Sequence, residues 1–164
     1  MKRFVKWAAM VAIVIMLPIQ FVRPALTNPV ADPKFAMETV LHVPPDVSAT
    51  LYRACGDCHS NRTEWPWYSE VAPTSWYVAD HVNHGRKHVN FSAWVLRGGK
   101  EPKDSLVRLR MMCNQVKSGD MPLTSYLLIH WNSKLSSEDV NKICAWTDQE
   151  IRRLAAGSFD PTKD

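Results

Sequence analysis

The chain has 164 residues and a formal net charge of +4, a length that suits one domain with extensions. Four basic residues and no acidic residue lie in the first 26 positions, so the rest of the chain, with 16 basic and 16 acidic residues, is formally neutral. This argues against a nucleic-acid-binding protein, which needs a basic surface, and it gives no strong electrostatic steering towards any partner.

Residues 1–26 are predicted to be a signal peptide or an N-terminal membrane anchor. A basic start precedes an apolar run from Trp7 to Val22, which is typical of export segments. As a helix this run would be about 24 Å long, shorter than the roughly 30 Å hydrocarbon core of a membrane. Because Ala25-Leu26-Thr27 is a poor cleavage site, we favour a retained anchor, and either alternative places the remaining chain outside the cytoplasm.

Residues 27–45 are predicted to be a Pro-rich linker, because Pro29, Pro33, Pro44 and Pro45 prevent a continuous helix. Such a linker would hold the following domain away from a membrane on a semi-rigid tether. The alternative is an ordered arm that wraps over the domain.

The most informative stretch of the chain is Cys55-Gly56-Asp57-Cys58-His59. Two cysteines separated by two residues and followed by histidine are the attachment signature of a c-type haem. Cys55 and Cys58 would form thioethers with the haem vinyl groups, and His59 would bind the iron as the proximal ligand. A redox CxxC does not need the histidine. A zinc site needs a second pair of ligands, and the other two cysteines of the chain lie far apart.

A helix with Asp46 as its N-cap is predicted to deliver this motif. The segment 60–73, rich in Pro and Trp, is predicted to be a loop. We interpret its Trp65, Trp67 and Tyr68 as walls of the haem pocket, because a macrocycle needs flat apolar partners. The alternative is that these aromatic side chains face solvent as recognition groups.

A second helix is predicted over about 74–85. His81, His84 and His88 would share one of its faces, and we interpret them as partly exposed histidines, with Gly85 interrupting the helix, rather than as a second metal site. His81 is also the alternative candidate for the distal haem ligand or for a hydrogen-bond donor in the pocket.

Two arginines, Arg86 and Arg97, are candidates to pair with the haem propionates, because a guanidinium group forks onto a carboxylate. A surface position without that role is an equal alternative for each. Residues 98–104 are predicted to form a loop.

Two further helices are predicted in the C-terminal half. The first carries an apolar stripe over 106–116 and ends at Gly119, and the second begins at Ser136 or Ser137 and ends at Gly157, followed by a frayed tail over 158–164. The inner face of the last helix is predicted to consist of Val140, Ile143, Cys144, Thr147, Ile151 and Leu154.

Cys113 and Cys144 lie on the core-facing stripes of these two helices. In an oxidising compartment they would pair as a disulfide, and the alternative is two buried thiols that act as small apolar side chains. If both are buried, we expect their Cα atoms to lie within the about 7 Å that a disulfide allows.

Met121 is the favoured candidate for the distal iron ligand. It follows Gly119, which ends a helix, and precedes Pro122, so it is predicted to lie on a constrained loop that can direct its sulfur at the iron. The competing interpretation is a methionine that packs against the core, which we favour for Met111 and Met112 inside the predicted helix.

Several runs resemble the bacterial haem-binding domain family of small, exported, single-haem cytochrome c-like proteins, and the resemblance covers about residues 45–150. The runs are Cys58 to Ser69 with its WPWYS sequence, Val71-Ala72-Pro73, Ser75-Trp76, Gly85-Arg86, Asn90-Phe91-Ser92-Ala93-Trp94, and Gly119-Asp120-Met121-Pro122-Leu123 followed by Ser125-Tyr126. The resemblance also favours Met121, in the pair Met121-Pro122, as the distal iron ligand.

Together these features predict an all-α, cytochrome c-like bundle of four to five helices around one covalently attached haem c, over residues 46–157. The expected function is single-electron transfer with redox partner proteins, rather than catalysis, on the periplasmic side of the bacterial inner membrane. A five-coordinate gas or redox sensor and a haem peroxidase are the alternatives. The haem motif of cytochrome c′-type proteins lies near the C-terminus, whereas about 105 residues follow it here, which argues against a sensor of that type. Exported c-type peroxidases use two haems, so the single CxxCH argues against a peroxidase.

Overall fold

A computed structural model describes residues 1–94 and 103–157, and every regular element in these ranges is helical. The α-helices are α1 (Lys2–Ile19), α2 (Met37–Val40), α3 (Pro45–His59), α4 (Thr74–His88), α5 (Lys103–Ser118), α6 (Thr124–Leu127) and α7 (Ser137–Ala155). Short 3-10 helices lie at Pro33–Phe35, Trp67–Glu70, Phe91–Ala93 and Trp131–Ser133. The predicted all-α class is confirmed for these ranges. Arg97, most of the predicted loop 98–104 and the tail 158–164 lie outside them.

The bundle consists of α3, α4, α5 and α7. Helix α5 packs mainly on α7, while α3 packs on both α4 and α7. Cys113 of α5 and Cys144 of α7 are both buried and form a disulfide, with their Cα atoms 4.9 Å apart. The prediction that these two cysteines lie close enough to pair is therefore confirmed.

The C-terminal helices begin and end where their cap residues predict. The Ser136 side chain accepts a hydrogen bond from the Asp139 backbone N–H, and the Asp139 carboxylate accepts one from Ser136 N–H, so the two form a capping box. Helix α5 is followed by Gly119 and α7 by Gly157, both with positive φ angles that suit glycine. The predicted inner face of α7 is buried at Ile143, Cys144, Thr147 and Leu154, and Val140 and Ile151 pack against the core while partly buried.

The N-terminus of α3 differs from the prediction that Asp46 caps it. The helix begins at Pro45, whose fixed φ and missing N–H suit the first helical position. Asp46 lies within the first turn instead, where its negative charge interacts favourably with the helix dipole. Its carboxylate also lies 3.4 Å from Nζ of Lys142 on α7.

Helix α4 continues through Gly85 to His88, so the expected interruption at this glycine was wrong. The reason is tertiary, because Gly85 lies where α4 crosses α3. A Cβ atom at this position would lie 2.5 Å from the carbonyl oxygen of Cys58. The glycine therefore permits the close approach of two backbones and does not break the helix.

Residues 20–43 form an ordered arm over the domain, which was the alternative to a free linker. The Gln20 side chain both donates to the Ala72 carbonyl and accepts from the Ala72 N–H, each at 3.0 Å. Farther along, Met37 and Leu41 are buried in the core. The chain upstream of α3 therefore contributes to the packing of the bundle.

Helix α1 forms within the predicted export segment, and none of its residues is buried. Among the helices in the described ranges, α1 included, none combines the length and apolarity needed to cross a membrane.

Candidate haem-binding site

A cavity of about 470 Å³ lies among α3, α4, α5 and the segment that follows α5. This volume is in the usual range for cofactor pockets. Apolar side chains from three helices, including Leu51, Val116 and Ile143, form part of its wall. The arrangement therefore offers a largely apolar surface to a bound cofactor.

The C-terminal half of α3 presents all three motif side chains to this cavity. Cys55, Cys58 and His59 line it together, because residues three and four positions apart share a helix face. Both cysteines are half-buried and unpaired. Burial raises the pKa of the Cys55 thiol to about 12 and that of Cys58 to about 11, so both are protonated thiols at neutral pH.

The orientation of His59 is fixed by a backbone carbonyl just after α4. Its Nδ1 lies 3.0 Å from the Val89 oxygen, and because a carbonyl only accepts, Nδ1 carries the proton. Burial also lowers the pKa of His59, which favours the neutral imidazole. Nε2 is therefore left with a lone pair, the state that a metal-ligating histidine requires.

Both predicted distal ligands lie on the same cavity. Met121 is half-buried, and its backbone N–H donates to the Gln115 carbonyl at 3.2 Å, which fixes the loop after α5. His81 also lines the cavity, with Nδ1 2.8 Å from the Tyr77 carbonyl and its ring 4.0 Å from that of Tyr77. The structure thus brings Met121 and His81 to the cavity that holds His59.

Other sulfur and imidazole groups share this lining. Met111 and Met112 line the cavity, although we expected them to pack against the core, and Met112 also contacts the core while partly buried. His84 and His88 line it from α4. Within the ranges that the structure describes, no group of three or more His, Cys, Asp or Glu residues is arranged to hold a metal ion.

The aromatic residues expected to wall the pocket lie elsewhere, since the lining includes none of Trp65, Trp67 and Tyr68. Trp67 is 78% exposed, and the Tyr68 hydroxyl lies 3.2 Å from Nε2 of His130. The guanidinium carbon of Arg86 lies 5.9 Å from the centroid of the Trp65 ring.

Arg86 does not line the cavity either, because its guanidinium is directed at polar groups around it. Its donors contact four acceptors at 2.7–2.8 Å, which are the carbonyls of Ser60 and Thr27, Oδ1 of Asn28 and Oγ1 of Thr63. Through these contacts the Arg86 side chain joins the N-terminal arm to the segment after the motif.

A polar contact that the sequence did not predict lies beside the motif. Asp57, between the two cysteines, accepts a hydrogen bond of 2.7 Å from the hydroxyl of Tyr126, and both residues line the cavity. Burial and this hydrogen bond raise the pKa of Tyr126. The two residues are 69 positions apart, so no local pattern in the sequence could have paired them.

The residues present fit a haem group. They combine two thiols three positions apart, an imidazole with a free Nε2, a nearby thioether and an apolar chamber of suitable volume. A family model described as a haem-binding domain matches residues 14–149, a range that begins within α1 and includes the arm. This match confirms the resemblance found in the sequence. No curated protein and no solved structure matches the chain.

Proposed function

The chain belongs to the haem-binding domain family, and we propose that it is a c-type cytochrome that transfers single electrons outside the cytoplasm. One observation carries the proposal, namely that Cys55, Cys58 and His59 line one cavity while the Val89 carbonyl holds the histidine proton on Nδ1. Haem supplies reversible one-electron chemistry at its iron when bound.

Each residue has a distinct role in this proposal. The Cys55 and Cys58 thiols hold one haem through thioethers, and Nε2 of His59 binds the iron. The Met121 sulfur, which also lines the cavity, would be the second protein ligand of the iron; it would raise the reduction potential and leave the iron no open site. A closed coordination sphere favours an electron carrier over a sensor or a peroxidase.

The location outside the cytoplasm is supported by two features of the chain. The basic and apolar start of residues 1–26 is typical of an export segment, and c-type haem is attached on that side in bacteria. The buried Cys113–Cys144 disulfide is also typical of an oxidising compartment.

The decisive experiment is acid-acetone extraction of the protein produced with export. We expect the haem to stay on the polypeptide, and Cys55→Ala and Cys58→Ala each to reduce or abolish attachment. The matched control is the double variant Cys113→Ala/Cys144→Ala, which removes two cysteines outside the motif and should keep covalent haem. Haem that extracts freely from the unaltered protein would overturn the proposal.

A further inference from the structure

We propose that a line of four aromatic rings is the route by which electrons pass between the haem cavity and a redox partner at the surface. The inference rests on the proposed function and deepens it, because it names where the partner reaches the site. From the cavity outwards, the line consists of Tyr126, His130, Tyr68 and Trp67.

Neighbouring rings in this line are in contact or nearly so. Tyr126 and His130 are stacked, with centroids 4.0 Å apart and planes inclined by 11°. His130 meets Tyr68 edge to face at 6.2 Å, and Tyr68 meets Trp67 in the same way at 5.9 Å. The link between His130 and Tyr68 joins segments 62 residues apart and includes the 3.2 Å contact between Nε2 and the hydroxyl.

The inner end of the line is connected to the cofactor site in two ways. The Tyr126 side chain is part of the cavity wall. Its hydroxyl also donates to the Asp57 carboxylate at 2.7 Å, and Asp57 lies between the two attachment cysteines in the chain. The line therefore begins at the cofactor site, both by contact with the cavity and through a hydrogen bond to the motif.

The outer end of the line is exposed, and so are the apolar residues beside its second ring in the chain. Trp67 is 78% exposed, and the three large apolar residues that flank His130 in the chain, Leu128, Ile129 and Trp131, are 80%, 62% and 80% exposed. Contiguous exposed apolar groups mark protein interaction sites more often than isolated ones do, and the three residues beside His130 are contiguous with it in the chain. The occupant that fits is a one-electron carrier protein with an apolar contact surface, because this surface is where the ring line emerges.

The electron balance of the step is simple. One electron leaves ferrous haem, the iron becomes ferric, and the partner's redox centre is reduced by one electron, with no bond made and no proton moved. The rings are not themselves oxidised, because they serve only as the medium for tunnelling between the two centres.

The test places an artificial electron acceptor at the outer end of the line. A ruthenium polypyridine complex is attached to Glu70→Cys, since residues three apart in a 3-10 helix eclipse each other and position 70 lies above Trp67. Glu70 is exposed and its pair with Arg23 is a surface one, so the substitution costs little stability. In the haem-loaded protein the other four cysteines are bonded, which leaves this thiol for labelling.

A second label at Asp148→Cys, an exposed site on α7, serves as the control position. After a light flash and quenching by a dissolved oxidant, the oxidised complex withdraws one electron from ferrous haem, and the haem absorbance gives the rate. We expect Trp67→Leu and His130→Leu to slow transfer to the label at 70 severalfold and to leave transfer to the label at 148 unchanged. Trp67→Phe and His130→Phe, which keep a ring, should restore most of the rate.

Phe21→Leu is the matched control, because Phe21 is an 88% exposed aromatic residue that lies outside both the line and the cavity lining. It should leave both rates unchanged. Equal slowing at both labels, or no slowing at either, would overturn the route while leaving the cytochrome proposal intact. A protein with no covalent haem, or with haem that gives no photoinduced signal at either label, would overturn both.

Discussion

The Val89 carbonyl leaves Nε2 of His59 free for a haem iron, and in the proposed cytochrome a second protein ligand would come from another residue of the cavity lining. Met121 is the best candidate, because the hydrogen bond from its own N–H to Gln115 fixes its backbone beside the cavity. His81 lines the cavity as well, but its ring packs on Tyr77.

At this residue scale, we predict that Met121→Ala opens one coordination site of the iron. The variant should lose the weak long-wavelength absorption of sulfur-ligated ferric haem, show a lower reduction potential and bind carbon monoxide. Absorption spectra with and without carbon monoxide are the measurement, and Met111→Ala, which removes an exposed thioether from the same lining, is the control. An unchanged spectrum without carbon monoxide binding would exclude Met121, and His81→Ala would then be the next variant.

At the scale of helices, the crossing of α3 and α4 determines the geometry of the motif. The crossing depends on Gly85, where a Cβ atom would lie 2.5 Å from the Cys58 carbonyl oxygen, a backbone atom that cannot rotate away. Helix α4 leads directly to Val89, whose carbonyl orients His59. A shift of α4 would therefore also displace the acceptor of the His59 hydrogen bond.

We accordingly predict that Gly85→Ala lowers the free energy of unfolding by about 1–3 kcal/mol, the usual cost of overpacking, and reduces the yield of covalent haem. Chemical denaturation and haem content per polypeptide are the measurements. Asn83→Ala, at an exposed position of the same helix, should change neither quantity. Wild-type stability and haem content in Gly85→Ala would show that the two helices can separate at no cost.

At the scale of the whole molecule, local patterns in the sequence predicted most of the bundle helices well, including the helix that carries Cys55, Cys58 and His59. The cap at Ser136 and the glycine at 119 act within a few residues, so their roles could be inferred from the chain alone. The arm was harder, because its prolines indicate a linker while the burial of Met37 and Leu41 depends on distant partners. The positions of Trp65 and Trp67 were also hard to predict, because they depend on contacts with residues that are distant in the sequence.

Arg86 carries the last prediction, because it connects three parts of the molecule. Its guanidinium reaches the arm at Thr27 and Asn28 and the segment after the motif at Ser60 and Thr63. Hydrogen bonds to a charged group contribute about 1.5–3 kcal/mol each. Since the effects of neighbouring contacts are not additive, we expect Arg86→Ala to lower the free energy of unfolding by about 2–4 kcal/mol.

The same variant should release the arm, so limited proteolysis should cut within residues 20–31 faster than in the wild type. Arg86→Lys should recover only part of the protection, because an ammonium group cannot reproduce the planar fork of the guanidinium. Lys87→Ala, which removes the next cation along α4, is the control and should leave proteolysis unchanged. Unchanged cleavage in Arg86→Ala together with a shifted reduction potential would instead assign Arg86 to the haem propionates.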